Sequence, residues 1–234
     1  MSFQAIRAAG LPRYVVLLPV ILVVCSCGKH SGVLNPASES HSPPAFSEPE
    51  SYSATVIQTI EDGDRREVSE TKVARSSDLF REEWSEAGES RTAIWRPDLG
   101  KLFLLAPERR QYVEMSIGAG ATTGTPIQDT ADSQHVLPSS VEPDRVETRL
   151  LPATSIEGHS CTVVERQSSY PDGHTETTRT YSATDLGGLP LRIESETLRT
   201  GSLSRILVER KNVETTVREI EFSIPVGFKR VTSL

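Results

Sequence analysis

Apolar and polar residues alternate along most of the chain beyond residue 51, a pattern typical of β-strands with one buried face. In residues 52–60, Tyr52, Ala54 and Val56 share one face, whereas serine and threonine side chains occupy the other. Similar segments predict further strands at residues 67–74, 78–85, 92–96, 101–105, 111–115, 145–156, 159–168, 175–183, 189–198 and 203–213. A closing strand is predicted at 220–225, with a short helix over 213–221 as the alternative.

Residues that favour tight turns separate these segments, as in Glu61-Asp-Gly-Asp64 and Arg199-Thr-Gly201. Short strands joined by short turns predict a mainly β domain built as an antiparallel meander. The roughly 180 residues beyond residue 51 are enough for one domain with its own core. Residues 116–143 lose the alternation and become rich in Gly, Thr, Pro and Ser, so we expect a long exposed loop or a lid there.

The N-terminus has the pattern of a secretory signal peptide, with Arg7 and Arg13 ahead of an apolar run at residues 14–24. The run is shorter than the ~20 residues of a transmembrane helix, and Pro19 interrupts it. A permanent transmembrane helix is therefore not expected at this end of the chain.

The residues that follow this run match a lipoprotein processing site at Cys27. Such sites place a branched aliphatic residue three positions before the acylated cysteine and a small residue directly before it, and Val24 and Ser26 meet both conditions. Cys25 would directly follow the β-branched Val24, which fits less well. We predict a signal peptide at 1–26, an acylated flexible tether at 27–50 and a folded domain at 51–234, with ordinary secretory cleavage as the alternative.

The charge of the chain excludes one class of partner. Removal of residues 1–26 takes away two of the 25 basic residues and none of the 32 acidic ones, which leaves a formal charge of −9. Nucleic acids require a clustered positive surface, so a nucleic-acid partner is not expected. The predicted partners are a membrane, to which the N-terminal lipid anchor would attach the protein, and components of the cell envelope.

No arrangement of residues typical of an enzyme is evident in the sequence. His159 and Cys161 share a strand face and could form a nucleophile pair or metal site, but no further spaced ligand accompanies them, so we expect Cys161 to be a buried structural residue. We expect His135 and His174 to be solvated. The carboxylates of Asp62 to Asp64 and of Glu82-Glu83 are also expected on solvated surfaces. The chain is predicted to be non-catalytic, with no cofactor and no metal.

The order of these features resembles the periplasmic lipoprotein-carrier superfamily, which includes outer-membrane lipoprotein-sorting proteins and mycobacterial lipid-carrying lipoproteins. The resembling segments are the strand at 52–60, Ile94-Trp-Arg-Pro-Asp98 leading into Lys101-Leu-Phe-Leu-Leu105 and Tyr112, Ile156-Glu-Gly-His-Ser-Cys161, Tyr181-Ser-Ala-Thr-Asp-Leu-Gly-Gly-Leu-Pro-Leu-Arg192, and Phe222-Ser-Ile-Pro-Val-Gly-Phe-Lys-Arg-Val231. Together they extend over nearly the whole predicted domain.

The resemblance implies a single curved antiparallel sheet that forms an incomplete (half) β-barrel, with few short helices or a lid over its concave face. Such a sheet is too open to fill its own interior, which would leave an apolar trough for acyl chains. The candidate trough residues are Val56, Ile60, Phe80, Trp84, Trp95, Phe103, Leu105, Leu191 and Ile193. An ordinary filled core is the alternative interpretation of these positions.

The implied function is that of a membrane-anchored envelope lipoprotein that binds a lipid, a lipoprotein acyl chain or another apolar ligand. Where carriers of this superfamily have apolar helices, this chain has the polar segment at 116–143. A protein-interaction or envelope-sensing module of the same fold is therefore the alternative. We expect the domain to face the periplasm, and Gly28 after the acylated cysteine favours the outer membrane if the source is Gram-negative.

Overall fold

The computed structural model describes residues 49–117 and 142–234 of the 234-residue chain. The predicted signal peptide, Cys27 and nearly all of the tether lie outside the described residues, as does most of the segment predicted as a loop or lid. No helix in the described ranges is long and apolar enough to cross a membrane.

Twelve strands make up most of the described residues. They are β1 (Ser51–Asp62), β2 (Arg65–Ser76), β3 (Leu79–Glu86), β4 (Glu89–Arg96), β5 (Lys101–Ala106), β6 (Gln111–Ser116), β7 (Arg145–Ile156), β8 (His159–Ser169), β9 (Thr175–Ala183), β10 (Leu189–Arg199), β11 (Ser202–Glu214) and β12 (Lys229–Arg230). The helical elements among the described residues are short 3₁₀ turns, at Pro97–Leu99, Pro107–Arg109, Thr184–Leu186 and Glu219–Phe222.

All twelve strands belong to one sheet, in the order β12-β6-β5-β4-β3-β2-β1-β11-β10-β9-β8-β7. Every pairing is antiparallel except the short contact between β12 and β6. The first and last strands of this order do not pair with each other, so the curved sheet remains open. The predicted fold class, a mainly β half-barrel, is confirmed.

Tight turns join most consecutive strands. In the β7–β8 turn Glu157 has φ +50° and Gly158 has φ +88°, and in the β10–β11 turn Thr200 and Gly201 have φ +46° and +82°. Positive φ at both central residues is typical of two-residue hairpin turns that match the twist of the flanking strands. The longest connection joins β6 to β7, which are consecutive in the chain but lie towards opposite sides of the sheet.

The prediction for residues 220–225 was wrong. This segment contains the 3₁₀ turn Glu219–Phe222 rather than a strand, with Ile220 68% exposed and Phe222 1% exposed. The predicted alternative, a helix over 213–221, was also wrong, because β11 continues to Glu214 and the helical turn begins at Glu219. The segment leaves the sheet after β11 and packs on one of its faces, so its contacts are not those of a paired strand.

Two core clusters lie against the sheet. The first joins residues of β1 and β2 to residues of β8, β9 and β10, and contains Tyr52, Ala54, Val56, Val73, Cys161, Ala183, Leu189 and Leu191. In the second, Phe222 from the C-terminal segment packs on Ala74, Ile94, Phe103 and Leu105. Arg81 and Arg96 hold this segment in place by donating hydrogen bonds to the carbonyl oxygens of Glu221 and Phe222, at 2.8 and 3.2 Å.

Candidate functional site

One face of the sheet, which we call the apolar face, is the face that carries Val56. Side chains directly opposite each other on paired strands lie on the same face, so the register identifies its members. From β6 to β1, two aligned rows on this face are Val113, Leu104, Ala93, Glu82, Val73 and Ala54, and Met115, Leu102, Trp95, Phe80, Arg75 and Tyr52. From β1 to β7, a third row is Gln58, Val208, Ile193, Thr180, Val164 and Leu150. These rows cross eleven of the twelve strands, with Glu82, Arg75, Gln58 and Thr180 as their polar members.

Six of the nine predicted trough residues lie on this face, namely Val56, Ile60, Phe80, Trp84, Trp95 and Ile193. Leu191 is the extra residue of a β-bulge between Pro190 and Arg192; it is buried in the core cluster that also contains Val56, and it lines a cleft. The bulge interrupts the simple alternation on which its assignment to the trough depended.

Phe103 and Leu105 do not belong with the other trough candidates. Phe103 pairs with Ile94, on the face of the sheet opposite to Trp95, and both Phe103 and Leu105 pack in the cluster around Phe222. The C-terminal segment covers this part of the opposite face, so β5 is buried on both sides. Their inclusion was wrong because residues 102–105 are apolar without interruption and show no alternation from which a face could be chosen.

Glu82 is the unexpected residue of the apolar face. It lies between Phe80 and Trp84 along β3, opposite Val73 on β2 and Ala93 on β4. Desolvation by this apolar surrounding raises the pKa of the Glu82 carboxyl. The expectation that the Glu82-Glu83 pair is solvated was therefore wrong for Glu82. The alternation in β3 was the available signal, since it places Glu82 with Phe80 and Trp84.

Both tryptophans of the chain lie beside Glu82 on the apolar face. Trp84 follows Glu82 on β3, and Trp95 lies diagonally across from it on β4. Trp95 is only 8% exposed. The Nε1 atoms of both indoles are buried and have no hydrogen-bond partner in the described part of the chain. The sequence predicted that these two rings contribute apolar surface, but it did not predict that their N–H groups would be buried without an acceptor.

On the opposite face of the sheet a buried carboxylate is paired with arginines of both neighbouring strands. Glu165 on β8 is 3% exposed and accepts hydrogen bonds from Arg149 Nε on β7, at 2.8 Å, and from Arg179 Nε on β9, at 2.7 Å. The Arg179 guanidinium first, and Arg149 to a smaller extent, hold the pKa of the Glu165 carboxyl below its usual range. Glu165 is therefore a buried carboxylate held between two guanidinium groups.

The substitution Glu165→Gln tests this charge pairing. We expect it to lower the free energy of unfolding at pH 7 by about 1.5–3 kcal/mol, the range for hydrogen bonds that involve charged groups. The folded pKa of Glu165 is lowered, so its contribution is complete above the ordinary glutamate value of about 4.5 and is lost as the pH falls through the folded value. Urea unfolding of both proteins between pH 7 and pH 3 measures this difference.

Glu147→Gln is the matched control, because Glu147 on β7 pairs with Arg145 in an exposed position. Exposed ion pairs contribute little, so its effect should stay within about 0.5 kcal/mol at every pH. A loss for Glu165→Gln that does not shrink below pH 4 would contradict the assigned role of the ionised carboxylate.

His159 and Cys161 do not form a nucleophile pair in this structure. The Cys161 thiol is fully buried and donates to the backbone oxygen of His159 at 3.6 Å, while His159 Nδ1 lies 2.7 Å from Asp185 Oδ2. Burial raises the pKa of the Cys161 thiol, which disfavours the reactive thiolate. In residues 49–117 and 142–234, no group of three or more His, Cys, Asp or Glu side chains could hold a metal ion.

His174 is not solvated, contrary to the prediction. Its side chain is buried in the β8–β9 turn, where the imidazole stacks on Tyr170 with the ring centroids 3.9 Å apart. Its Nδ1 atom contacts Asp172, which also accepts a hydrogen bond from Arg199. The Arg199 guanidinium, with His174, lowers the pKa of Asp172 to about 2. This cluster stabilises the turn.

A cleft with a volume of about 280 Å³ lies beside Leu191, among residues of β7, β9, β10 and β11. Its polar groups are largely engaged with one another. Arg192 donates to Glu209 at 2.9 Å and lies over the ring of Tyr181, whose hydroxyl donates to Glu194. Lys211 lies 3.9 Å from the same Glu209 carboxylate, and Arg210 donates to the backbone oxygen of Pro190 at 2.8 Å.

Several solved structures are similar to this chain at low sequence identity. An uncharacterised conserved protein from Thermus thermophilus is 12% identical with a TM-score of 0.43, and the match covers 78% of this chain and 90% of that one. MucB is 15% identical with a TM-score of 0.39, covering 76% of this chain and 58% of MucB. A LolA superfamily protein from Nitrosomonas europaea is 14% identical with a TM-score of 0.35, covering 74% and 89%. No protein-family model matches the chain, and no curated protein matches it in sequence.

Proposed function

We propose that this chain is a non-catalytic envelope lipoprotein, anchored through Cys27, that holds a lipid or a lipoprotein acyl chain on the apolar face of its open sheet. The domain would face the periplasm, from the outer membrane if the source is Gram-negative. The observation that carries the proposal is the apolar surface that β1 to β6 present on one face of an unclosed sheet.

The composition of this face supports an acyl ligand. Leu102, Leu104, Val113 and Met115 on β5 and β6 continue the surface formed by the aromatic side chains of β3 and β4. Burying apolar area contributes about 25 cal/mol per Å², or roughly 0.8 kcal/mol for each methylene group. An acyl chain along this face would therefore gain affinity with each methylene that it buries, without a specific polar contact.

Lipid analysis of the purified protein tests the proposal. A protein that begins at residue 28, exported behind a cleavable signal peptide, lacks the acylated cysteine and retains the whole described domain. We expect native mass spectrometry to show bound species with the masses of acyl lipids, and organic extraction to release them. Repeated purification of folded protein without any bound lipid would contradict the carrier function and would favour the alternative of a protein-interaction module.

A charged substitution on the apolar face provides the variant test. Leu104 lies on this face between Ala93 and Val113, so Leu104→Glu would place a carboxylate against the acyl chain. We expect the affinity for a fluorescent acyl probe to fall at least about tenfold, because an unpaired charge in an apolar site costs several kcal/mol.

Val68→Glu is the matched control, because Val68 on β2 lies on the opposite face and is 61% exposed. We expect unchanged acyl binding for this variant. Circular dichroism and thermal unfolding of both variants separate a local effect from a loss of folding. Equal binding by the wild-type protein and Leu104→Glu would mean that the acyl chain lies elsewhere.

A further inference from the structure

β7 is the last strand of the sheet, and no strand among the described residues pairs with its outer edge. The unpaired N–H and C=O groups along such an edge are a template for pairing with another strand. Every residue from Arg145 to Leu150 is exposed, and Leu150 is 68% exposed although it is apolar. In the described part of the chain, this stretch of β7 is therefore open to a partner.

Only the first part of β7 is suited to regular pairing at this edge. Pro152 has no N–H donor, and the pairing of β7 with β8 is irregular between Leu151 and Thr154. The strand begins at Arg145, so the regular stretch consists of residues 145–151. The midpoint of this stretch is Thr148.

The sequence of this stretch is self-complementary about its midpoint. When two copies of β7 pair antiparallel about Thr148, Glu147 lies opposite the partner's Arg149. In the same pairing Val146 lies opposite the partner's Leu150. A two-fold axis repeats both contacts, which gives two pairs of opposite charge and two apolar pairs. Val146 and Leu150 are 45% and 68% exposed in the single chain, and this pairing would cover both.

The charged residues of this stretch remain accessible although they already have partners within the chain. Arg149 contacts Glu165 through Nε and Nη2, yet its side chain is 69% exposed. Glu147 pairs with Arg145 along the strand, and the Glu147 side chain is 54% exposed. Both groups can therefore contact a second copy without breaking the pairs that they make in the first.

Other two-fold registers are less favourable. A pair centred on Glu147 places this carboxylate opposite its own copy, and it places Arg145 opposite the partner's Arg149. A pair centred on Arg149 brings two guanidinium groups together and sets Pro152 opposite the partner's Val146. Like charges directly opposite each other destabilise a strand pair. A pair centred on Val146 would join only residues 145–147 of each strand.

We propose that β7 pairs antiparallel with β7 of a second copy of this chain, centred on Thr148, to form a two-fold symmetric dimer. The proposal goes beyond the proposed function and does not depend on a bound lipid. Main-chain hydrogen bonds join the two sheets, and the side-chain pairs fix the register. Because each copy contributes one short stretch of strand, the contact is smaller than the ~1,200–2,000 Å² of stable complexes, and we expect a dissociation constant in the micromolar range.

Disulfide cross-linking measures the register. In the protein that begins at residue 28, Cys161 is the remaining cysteine, and it is fully buried. Thr148→Cys places a thiol at the two-fold axis, where residues directly opposite each other have Cα atoms about 4.5–5.5 Å apart, a distance that a disulfide spans. We expect mild oxidation to convert this variant into a covalent dimer.

Val146→Cys is the matched control, because Val146 is exposed and lies on the same face of the same strand. In the proposed pairing the two copies of residue 146 are four positions apart along the strands, about 13 Å. We expect this variant to cross-link at least about tenfold more slowly than Thr148→Cys. Equal rates for the two variants would overturn the proposed register.

Charge reversal tests the contact without a covalent bond. Glu147→Arg sets a guanidinium opposite the partner's Arg149, so we expect the dissociation constant from sedimentation equilibrium to rise at least about tenfold. Glu67→Arg is the matched control, because Glu67 forms a similar exposed pair with Arg65 on β2, a strand inside the sheet. It should leave the dissociation constant unchanged. Circular dichroism and thermal unfolding check that each variant is folded.

The absence of cross-linking in Thr148→Cys would overturn the pairing, as would a dimer that Glu147→Arg does not weaken. A protein that stays monomeric at millimolar concentration would also overturn it. None of these results bears on lipid binding, which is measured on separate samples. Failure of the dimer and failure of the carrier function are therefore distinguishable.

Discussion

Replacing Phe222 with alanine is expected to lower the free energy of unfolding by about 3–5 kcal/mol, the range observed when a large buried aromatic side chain is truncated. Phe222 is 1% exposed and packs on Ile94, Phe103 and Leu105. Alanine at this position would leave a cavity between the sheet and the C-terminal segment. Since single domains are stable by only about 5–15 kcal/mol, this is a large share of the total. Urea unfolding followed by circular dichroism measures the change.

The neighbouring substitution Ile220→Ala is the control, because Ile220 is in the same 3₁₀ turn but is 68% exposed. We expect it to change stability by less than about 0.5 kcal/mol, as is usual for surface positions. A similar loss for both variants would show that the turn itself, rather than the buried ring, stabilises the sheet. A loss below about 1 kcal/mol for Phe222→Ala would contradict the packing described for this cluster.

Replacing Cys27 with serine is expected to abolish acylation and the processing that depends on it. Only the thiol of a cysteine accepts the lipid in such precursors, so the variant should keep residues 1–26 and incorporate no labelled palmitate. The effect on anchoring is large because each buried methylene contributes about 0.8 kcal/mol and several acyl chains on one residue hold firmly. Intact-mass measurement and labelling with palmitate in the bacterial host check both expectations.

Cys25→Ser is the matched control, two positions away in the same sequence. It should still be cleaved and labelled, since Val24, Ser26 and Cys27 remain. If palmitate label persisted in Cys27→Ser but disappeared in Cys25→Ser, the acylated residue would be Cys25. Cleavage without label in the wild-type chain would instead show an ordinary secretory signal and would remove the lipid anchor from the proposed function.

If the proposed function holds, the domain separates two tasks between the faces of one sheet. The apolar face would bind the ligand, while the opposite face carries the Glu165 ion pairs and, over β3 to β6, the C-terminal segment. A change in stability at Phe222 and a change in binding at Leu104 should accordingly be independent, because the two sites lie on different faces.

Strand positions were predictable because the evidence for them is local. A period of two in a half-buried strand is visible within a few residues, as in residues 52–60, and the eleven strands predicted by these patterns are present. Interruptions of that period were not predictable. The β-bulge at Leu191 and the 3₁₀ turn at Glu219–Phe222 both depend on how distant segments pair and pack.

The environment of a side chain depended on neighbours that are distant in sequence. Phe103 was assigned to the wrong face because β5 is apolar on both sides, and the reason is the packing of a segment more than one hundred residues later in the chain. Glu82 is desolvated by Val73 and Ala93 from adjacent strands as well as by its own strand neighbours. Its raised pKa therefore results from the register of the sheet.

The sequence by itself thus determined the positions of the strands and predicted the lipoprotein processing site, because both depend on short contiguous patterns. Only the tertiary structure decided which alternating sets of side chains share a face, which strand is buried on both sides, and where buried polar groups lack partners. The physical reason is that desolvation and packing depend on residues brought together by strand pairing. Those pairings join segments as distant in sequence as β1 and β11, where Val56 lies opposite Arg210, and no local pattern specifies such a pair.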